Sequence, residues 1–433
     1  MTHAPLWREL LSKLNEQEAA TPDLYVEPKR AASVEVTSEF DDEPQSRLKF
    51  LLVGAQGGGK STELSRISRL LAPRTQSVGI DLDASGVNAS TVGAFDLLYL
   101  SGLAMLSLLP AGERKPLFAA LSRAYADSEN PADLGSVDQA VDSLATFGTL
   151  TSTAAEAVGL MSPGLGPAIS VIRAGKFAVR LLQRGVVAET SPQGSKLAFA
   201  THSIAQTLEA REPGRPLCVL IDGLEKMNGE SEARFRELFE STSLLVQAPW
   251  ATVISSPPCT MTVTNGAENR GWRSKVVWGF GDDQQDSLVK LVRRRFDATG
   301  MGDACVANAQ LEELVKTAGC LPRHVIRLCR EAVRSANQAS RSRIEKEDVA
   351  HASRRLAESL GNGLTDEDFA ELQYVRHQRK LRRNESAARL FADGRILAYP
   401  PPESAPFVDW RVHPALAPYF QLTADTTTAP EPA

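Results

Sequence analysis

Gly54-Ala55-Gln56-Gly57-Gly58-Gly59-Lys60-Ser61 satisfies every position of the pattern G-x-x-x-x-G-K-[ST]. Glycines permit backbone dihedrals closed to other residues, so successive amide N–H groups can curve around a phosphate, and a helix starting there adds the partial positive charge of its N-terminus. In such a loop Lys60 reaches the β- and γ-phosphates of a nucleoside triphosphate, and the Ser61 hydroxyl ligates Mg2+. A chance match in a chain of this composition has a probability on the order of one in a hundred. The flanks lower it further: the apolar run Leu48 to Val53 precedes the loop, and Leu64, Ile67, Leu70 and Leu71 follow at helical spacing before Pro73.

A phosphate site of this kind needs an acid at the carboxyl end of a buried strand, where it holds the metal or its waters. Leu217-Cys218-Val219-Leu220-Ile221-Asp222 supplies one. Gly223 follows, and the next acid is Glu225. Glu225 is then either the carboxylate that activates water or a surface acid paired with Lys226. Ser255-Ser256-Pro257-Pro258 ends another apolar run and offers a hydroxyl near a terminal phosphate, with a tight turn as the competing reading. In Thr317-Ala318-Gly319-Cys320-Leu321-Pro322-Arg323, Pro322 suits the first turn of a helix. Leu321, Val325, Ile326 and Leu328 set that helix on a core, which places the Arg323 guanidinium to meet phosphate oxygens, with an ordinary surface arginine as the competing reading.

The elements that must hold these residues read as strand, helix, strand: Leu48 to Val53, the helix after Ser61, and Ser77 to Leu82, with Leu217 to Ile221 and Ala251 to Ser255 as further strands. The expected fold class is α/β, a three-layer αβα parallel sheet. Residues 1–45 read as a docking helix (Pro5 to Gln17) and a mostly extended lead-in, 46–282 as the core with a helical insertion at 88–194, 283–360 as a helical lid, 361–422 as a winged-helix-like domain, and 423–433 as a disordered tail. Breakers at Ser162-Pro163-Gly164-Leu165-Gly166-Pro167 leave no run able to span a bilayer. A net charge of −5, from 48 Lys and Arg against 53 Asp and Glu, excludes a long-range field toward DNA or anionic lipid. The 42% hydrophobic content excludes a disordered chain, and the five cysteines form no CxxC pair. The N-terminus lacks the pattern of a signal peptide, so a cytoplasmic location is expected.

Lys49-Phe50-Leu51-Leu52-Val53-Gly54 through Lys60-Ser61-Thr62-Glu63-Leu64, then Leu220-Ile221-Asp222-Gly223-Leu224-Glu225-Lys226, Ser255-Ser256-Pro257 and Ala318-Gly319-Cys320-Leu321-Pro322-Arg323 together resemble bacterial P-loop ATPases of the AAA+/STAND-like group, with an origin-recognition-type core. Arg395 to Tyr399 and Trp410 to Pro414 resemble the C-terminal ends of such proteins. The resemblance implies ATP and Mg2+ as ligands. It implies that Gly54, Ala55, Gln56, Gly57, Gly58, Gly59, Lys60, Ser61, Thr62, Ser256 and Arg323 bind the nucleotide, that Ser61 and Asp222 hold the metal, and that Lys60, Asp222, Glu225 and Arg323 act in hydrolysis. Serines where the group carries Asn or Thr, and the long gap between Lys60 and Asp222, are departures. The implied function is a nucleotide-driven switch that acts on a protein effector or on its own assembly, in bacterial signalling or defence. The alternative is ATP-dependent DNA binding through the basic run Arg376 to Arg383 and the winged-helix-like domain. A solvated helix face is the plainer reading of that run. Arg270 and Arg273 are candidate arginine fingers toward a neighbouring subunit.

Overall fold

The computed structural model describes residues 4–15, 25–28, 30–43, 47–83, 89, 92–126, 192–226, 238, 243–256, 271–300, 302–401 and 408–420. Much of the expected insertion, the breakers at 162–167, Pro257, Arg270 and the tail from Thr423 lie outside these residues. In chain order the elements are α1 (Ala4–Lys13), α2 (Ala32–Asp42), β1 (Lys49–Val53), α3 (Lys60–Leu71), β2 (Gln76–Asp81), α4 (Ala94–Leu106), α5 (Ala111–Ala126), α6 (Pro192–Arg211), β3 (Leu217–Asp222), α7 (Ser243–Gln247), β4 (Ala251–Ser256) and β5 (Arg273–Val276). There follow α8 (Gln285–Asp297), α9 (Gly302–Cys305), α10 (Asn308–Thr317), α11 (Pro322–Gln338), α12 (Lys346–Gly361), α13 (Asp366–Gln378), α14 (Glu385–Ala392), β6 (Ile396–Tyr399) and β7 (Asp409–Val412).

The chain divides into two compact units, one of Ala32–Val53 and Ser61–Val276, the other of Met1–Ala31, Gly54–Lys60 and Val277–Ala433. The first is an α/β unit built on a five-stranded parallel sheet in the order β2-β3-β4-β1-β5. β1, β3 and β4 are buried along their whole length, as their unbroken apolar runs require in a sheet covered on both faces. Parallel register brings the carboxyl ends together: Asp81 lies opposite Asp222, Ile221 opposite Ile254, and Ser256 opposite Val53. At the amino end the buried Lys49 ammonium ties β1 to β4. It donates to the carbonyls of Ala248 (3.1 Å) and Trp250 (2.5 Å) and to Thr252 Oγ1 (3.2 Å), and burial pushes its pKa down to about 7.

Two features of this unit differ from the sequence reading. The lead-in is not extended over 32–42 but forms α2, whose Ala32, Ser33, Val36, Thr37 and Phe40 make one buried face. Phe40 meets Phe50 of β1 at 5.9 Å between ring centroids. Acids of this segment are pairing groups: Glu39 and Glu43 bind Arg273 at 2.5 and 2.8 Å, and Glu39 also binds Lys275. Arg273 is thus committed to α2 by two charge-assisted bonds, and its strand β5 is an element the sequence reading did not include.

Of the segment 88–194, α4 and α5 are described helices, and α6, which begins at its carboxyl end, packs on both. Tyr125 stacks on Tyr99 at 4.1 Å and donates to Asp96 Oδ1 at 2.6 Å. Among the described residues no helix is long and apolar enough to cross a membrane.

In the second unit α1 buries Trp7 and Leu10, Leu14 just beyond it is buried too, and Trp7 Nε1 donates to the Arg341 carbonyl at 3.2 Å. Residues 285–361 are helical, and α11 carries a continuous buried row of Val325, Ile326, Leu328, Cys329, Ala332, Val333 and Ala336. Beyond them α13, α14 and the antiparallel pair β6–β7 give the two helices and hairpin expected of 361–422. Asp368 joins the helices: it accepts from the Thr365 amide at 3.0 Å, Ser386 Oγ at 2.6 Å and Arg389 at 2.5 Å. Burial alone would raise its pKa, but Arg389, Ser386 and Thr365 together hold it well below the usual carboxylate range.

Candidate active site

The glycine-rich loop leaves the carboxyl end of β1 at Gly54 and enters α3 at Lys60. Gly57 has φ +82, the left-handed region where a side chain is strained. A Cβ there would lie 2.5 Å from Arg323 Cβ, so the arginine stem occupies the space glycine leaves open. The Arg323 amide also donates to the Gly57 carbonyl at 3.4 Å. The stem of Arg323 thus packs directly on the loop. Gly57→Ala is expected to cost about 1–2 kcal/mol in backbone strain alone, and to displace Arg323 as well. A lowered thermal midpoint together with weakened nucleotide binding checks this.

The Lys60 ammonium is buried and donates to the Gly54 carbonyl at 2.7 Å and the Ala55 carbonyl at 3.0 Å. The Gly58 amide closes a turn onto the Ala55 carbonyl at 3.1 Å, and the Gln56 amide donates to the Ala392 carbonyl of α14 at 3.2 Å. Thr62 is half-buried in the first turn of α3.

In the α/β unit, the residue after Lys60 meets the acids. The Ser61 and Ser255 hydroxyls both stand beside the buried Asp222 carboxylate and favour its ionised form. Ser255 Oγ donates to Glu225 Oε2 at 2.6 Å and accepts from the Gly223 amide at 3.0 Å. A hydroxyl carries one hydrogen, so Ser255 can satisfy only one of its two acids at a time. Burial, then the neighbouring charge of Glu225, pushes the Asp222 pKa up to about 6. Asp81, opposite Asp222 in the sheet, adds to the same field.

Lys226 turns to Asp83, so the reading of Glu225 as a surface acid paired with Lys226 is not met. The hydroxyl joined to the acids is Ser255, while Ser256, the position assigned from the sequence, is the last residue of β4 and fully buried. Neighbouring residues of a strand point to opposite faces, and the sequence gives no means of choosing between two serines. The donor set suits Mg2+: a hydroxyl and a carboxylate are hard oxygen ligands. Burial and then the charge of Glu225 disfavour the ionised Asp222 carboxylate, and a cation held there would favour it.

The basic run is largely committed within the chain. Arg379 pairs with Asp409, Arg382 pairs with Glu371 and lies 3.8 Å from the Tyr374 ring centroid, and Arg376 lies over Phe420. α13 ends at Gln378, and Arg379 turns the chain in a left-handed conformation, so the run is not one continuous helix face.

A second constellation went unnoticed in the sequence. His324, next to Arg323, and His413, after β7, are both buried, with His324 Nδ1 2.9 Å from His413 Nε2. Burial, then the charges of Arg327 and Arg323, lowers the His324 pKa to about 4, and burial holds His413 well below its usual value.

No protein-family model matches this sequence, and no curated protein matches it. Among solved structures, the chain is similar to Cdc6p from Pyrobaculum aerophilum, at 12% identity and a TM-score of 0.37 over 93% of this chain and 96% of that one. The Aeropyrum pernix Orc1 protein in complex with DNA matches at 10% identity and a TM-score of 0.37, over 93% and 95%. The Thermotoga maritima RuvB Holliday junction branch migration motor matches at 16% identity and a TM-score of 0.25, over 42% and 63%. At these identities and scores the likenesses are too distant to assign any property to this chain.

Proposed function

We propose that this chain is a Mg2+-dependent ATPase that works as a nucleotide-driven switch, passing its state to a protein partner or to its own assembly. One observation carries the reading: the hydroxyl that directly follows the loop lysine stands beside Asp222 and favours its ionised form, across the long gap in sequence. Ser61 and Asp222 would hold Mg2+, which supplies charge neutralisation at the transferring phosphoryl group. Lys60 exchanges its loop carbonyls for β- and γ-phosphate oxygens. Glu225, held by Ser255, accepts the proton of the attacking water as its oxygen bonds to the γ-phosphorus and the bond to ADP breaks. Arg323, seated on Gly57, neutralises charge on the γ-phosphoryl oxygens. Lid and loop belong to one compact unit, so a change at the phosphate passes into the helical lid.

The test is the pH dependence of Mg·ATP binding. The Asp222 pKa in the folded chain lies near 6, above the ordinary value of 3.8. The ionised form that a metal needs is therefore lost as pH falls through 6. Below that pH, affinity is expected to drop roughly tenfold per pH unit, and Asp222→Asn is expected to bind weakly with that component of the slope removed. Equal slopes for wild type and Asp222→Asn would contradict the metal role.

A further inference from the structure

We propose that His413 is a positioning residue for Arg323: its Nε2–H holds the His324 ring, and with it the first turn of α11, against the phosphate loop. This rests on the reading of Arg323 as the γ-phosphate contact.

The bonding pattern settles which nitrogens carry protons. The Ala415 amide donates to His413 Nδ1 at 3.1 Å, so that nitrogen offers a lone pair and the neutral ring carries its hydrogen on Nε2. The one hydrogen on Nε2 is shared between two acceptors, the Ala318 carbonyl at 3.1 Å and His324 Nδ1 at 2.9 Å. A hydrogen on His324 Nδ1 would point head-on at that N–H, so His324 accepts there and carries its own hydrogen on Nε2. A proton on either accepting nitrogen, His324 Nδ1 or His413 Nδ1, breaks the arrangement, and burial keeps both rings neutral.

What the pair holds is the turn that delivers Arg323. Gly319 and Cys320 both take positive φ, 61 and 58, to swing α10 into α11. The hairpin grips this turn: Tyr399 Oη donates to the Gly319 carbonyl at 2.6 Å, and a Cβ on Gly319 would strike Leu397 at 2.5 Å and Pro414 at 2.9 Å. Arg323 begins α11 one residue after Pro322, with its amide on the Gly57 carbonyl and its stem over Gly57. On the other side, a Cβ on Gly394 would sit 3.3 Å from His324 Cε1. His413 thus links the C-terminal hairpin to the arginine through one ring and one helical turn. Its spacing from His324 and the neutrality of both rings suit a rigid spacer.

The experiment compares ATP and ADP affinities of the full chain, read with fluorescent nucleotide analogues. ADP lacks the γ-phosphate, so a displaced Arg323 lowers the preference for ATP, whereas general loosening of the fold lowers both affinities. His413→Asn keeps an acceptor for Ala415 and loses the Nε2 donor; it is expected to reduce the ATP-over-ADP ratio roughly tenfold, the worth of one buried hydrogen bond. His413→Gln, whose longer amide restores an N–H, is expected to recover most of the ratio. In an Arg323→Ala background His413→Asn should produce no further loss. If His413→Asn does not fold, His324→Phe, which keeps a ring and removes the acceptor, is expected to show the same fall. The proposal is overturned if Arg323→Ala lowers the ratio while the histidine variants leave it unchanged, or if the losses simply add. A wild-type chain that binds neither nucleotide would overturn the ATPase reading, and this assignment with it.

Discussion

Lys60→Ala is expected to weaken Mg·ATP binding at least about 100-fold, and ATP hydrolysis should fall below detection at ordinary substrate levels. The estimate follows from removing a charged donor from a buried site, about 3 kcal/mol, at roughly 1.4 kcal/mol per tenfold. Lys60 is buried and held by its own loop through the Gly54 and Ala55 carbonyls. Phosphate oxygens are a better counterpart for a buried ammonium than neutral carbonyls are. Removing the side chain leaves those carbonyls facing a site built for anions, so binding suffers more than folding. Filter binding or fluorescence anisotropy with the purified variant measures the loss. An affinity within threefold of wild type would remove the loop from the nucleotide site.

The second large effect belongs to Glu225→Gln, which should lower the hydrolysis rate by roughly 10²–10⁴-fold, the usual worth of a positioned general base. ATP affinity should stay within about threefold. Glutamine keeps the length and can still accept the Ser255 hydrogen bond of 2.6 Å, but it cannot take a proton from water. Single-turnover phosphate release separates the two quantities. A surface acid would give no change in rate, and Lys226, its nearest candidate partner in sequence, is instead bonded to Asp83. Trapping the chain with bound ATP through Glu225→Gln would also supply the switch in one defined state.

These effects fall on residues that could be read from the sequence for local reasons. The apolar run of β1, the glycines after it and the lysine opening α3 lie within a few residues of one another, and each declares itself by type and spacing. The acid ending β3 was legible for the same cause, because a fully buried strand reads as a continuous apolar run and an acid that closes it stands out. What escaped depends on partners distant along the chain. α2 looked like solvated lead-in because its acids find Arg273 and Lys275 more than 200 residues away. Ser255 and Ser256 are indistinguishable until the sheet assigns one of them to the side of Glu225. The His324–His413 contact joins positions 89 residues apart, each an ordinary histidine in its own neighbourhood. Basic side chains from Arg376 onward read as free charge, yet Arg379 and Arg382 find Asp409 and Glu371.

Isothermal titration calorimetry of ATP into the full-length chain, run with Mg2+ and again with EDTA, puts the proposed site to the test in a single instrument. Saturable heat at one nucleotide per chain with Mg2+, weakened strongly by EDTA and abolished by Lys60→Ala, is the predicted result. The absence of heat with Mg2+ present, or equal heats from wild type and Lys60→Ala, would show that Gly54–Ser61 and Asp222 do not form a nucleotide site.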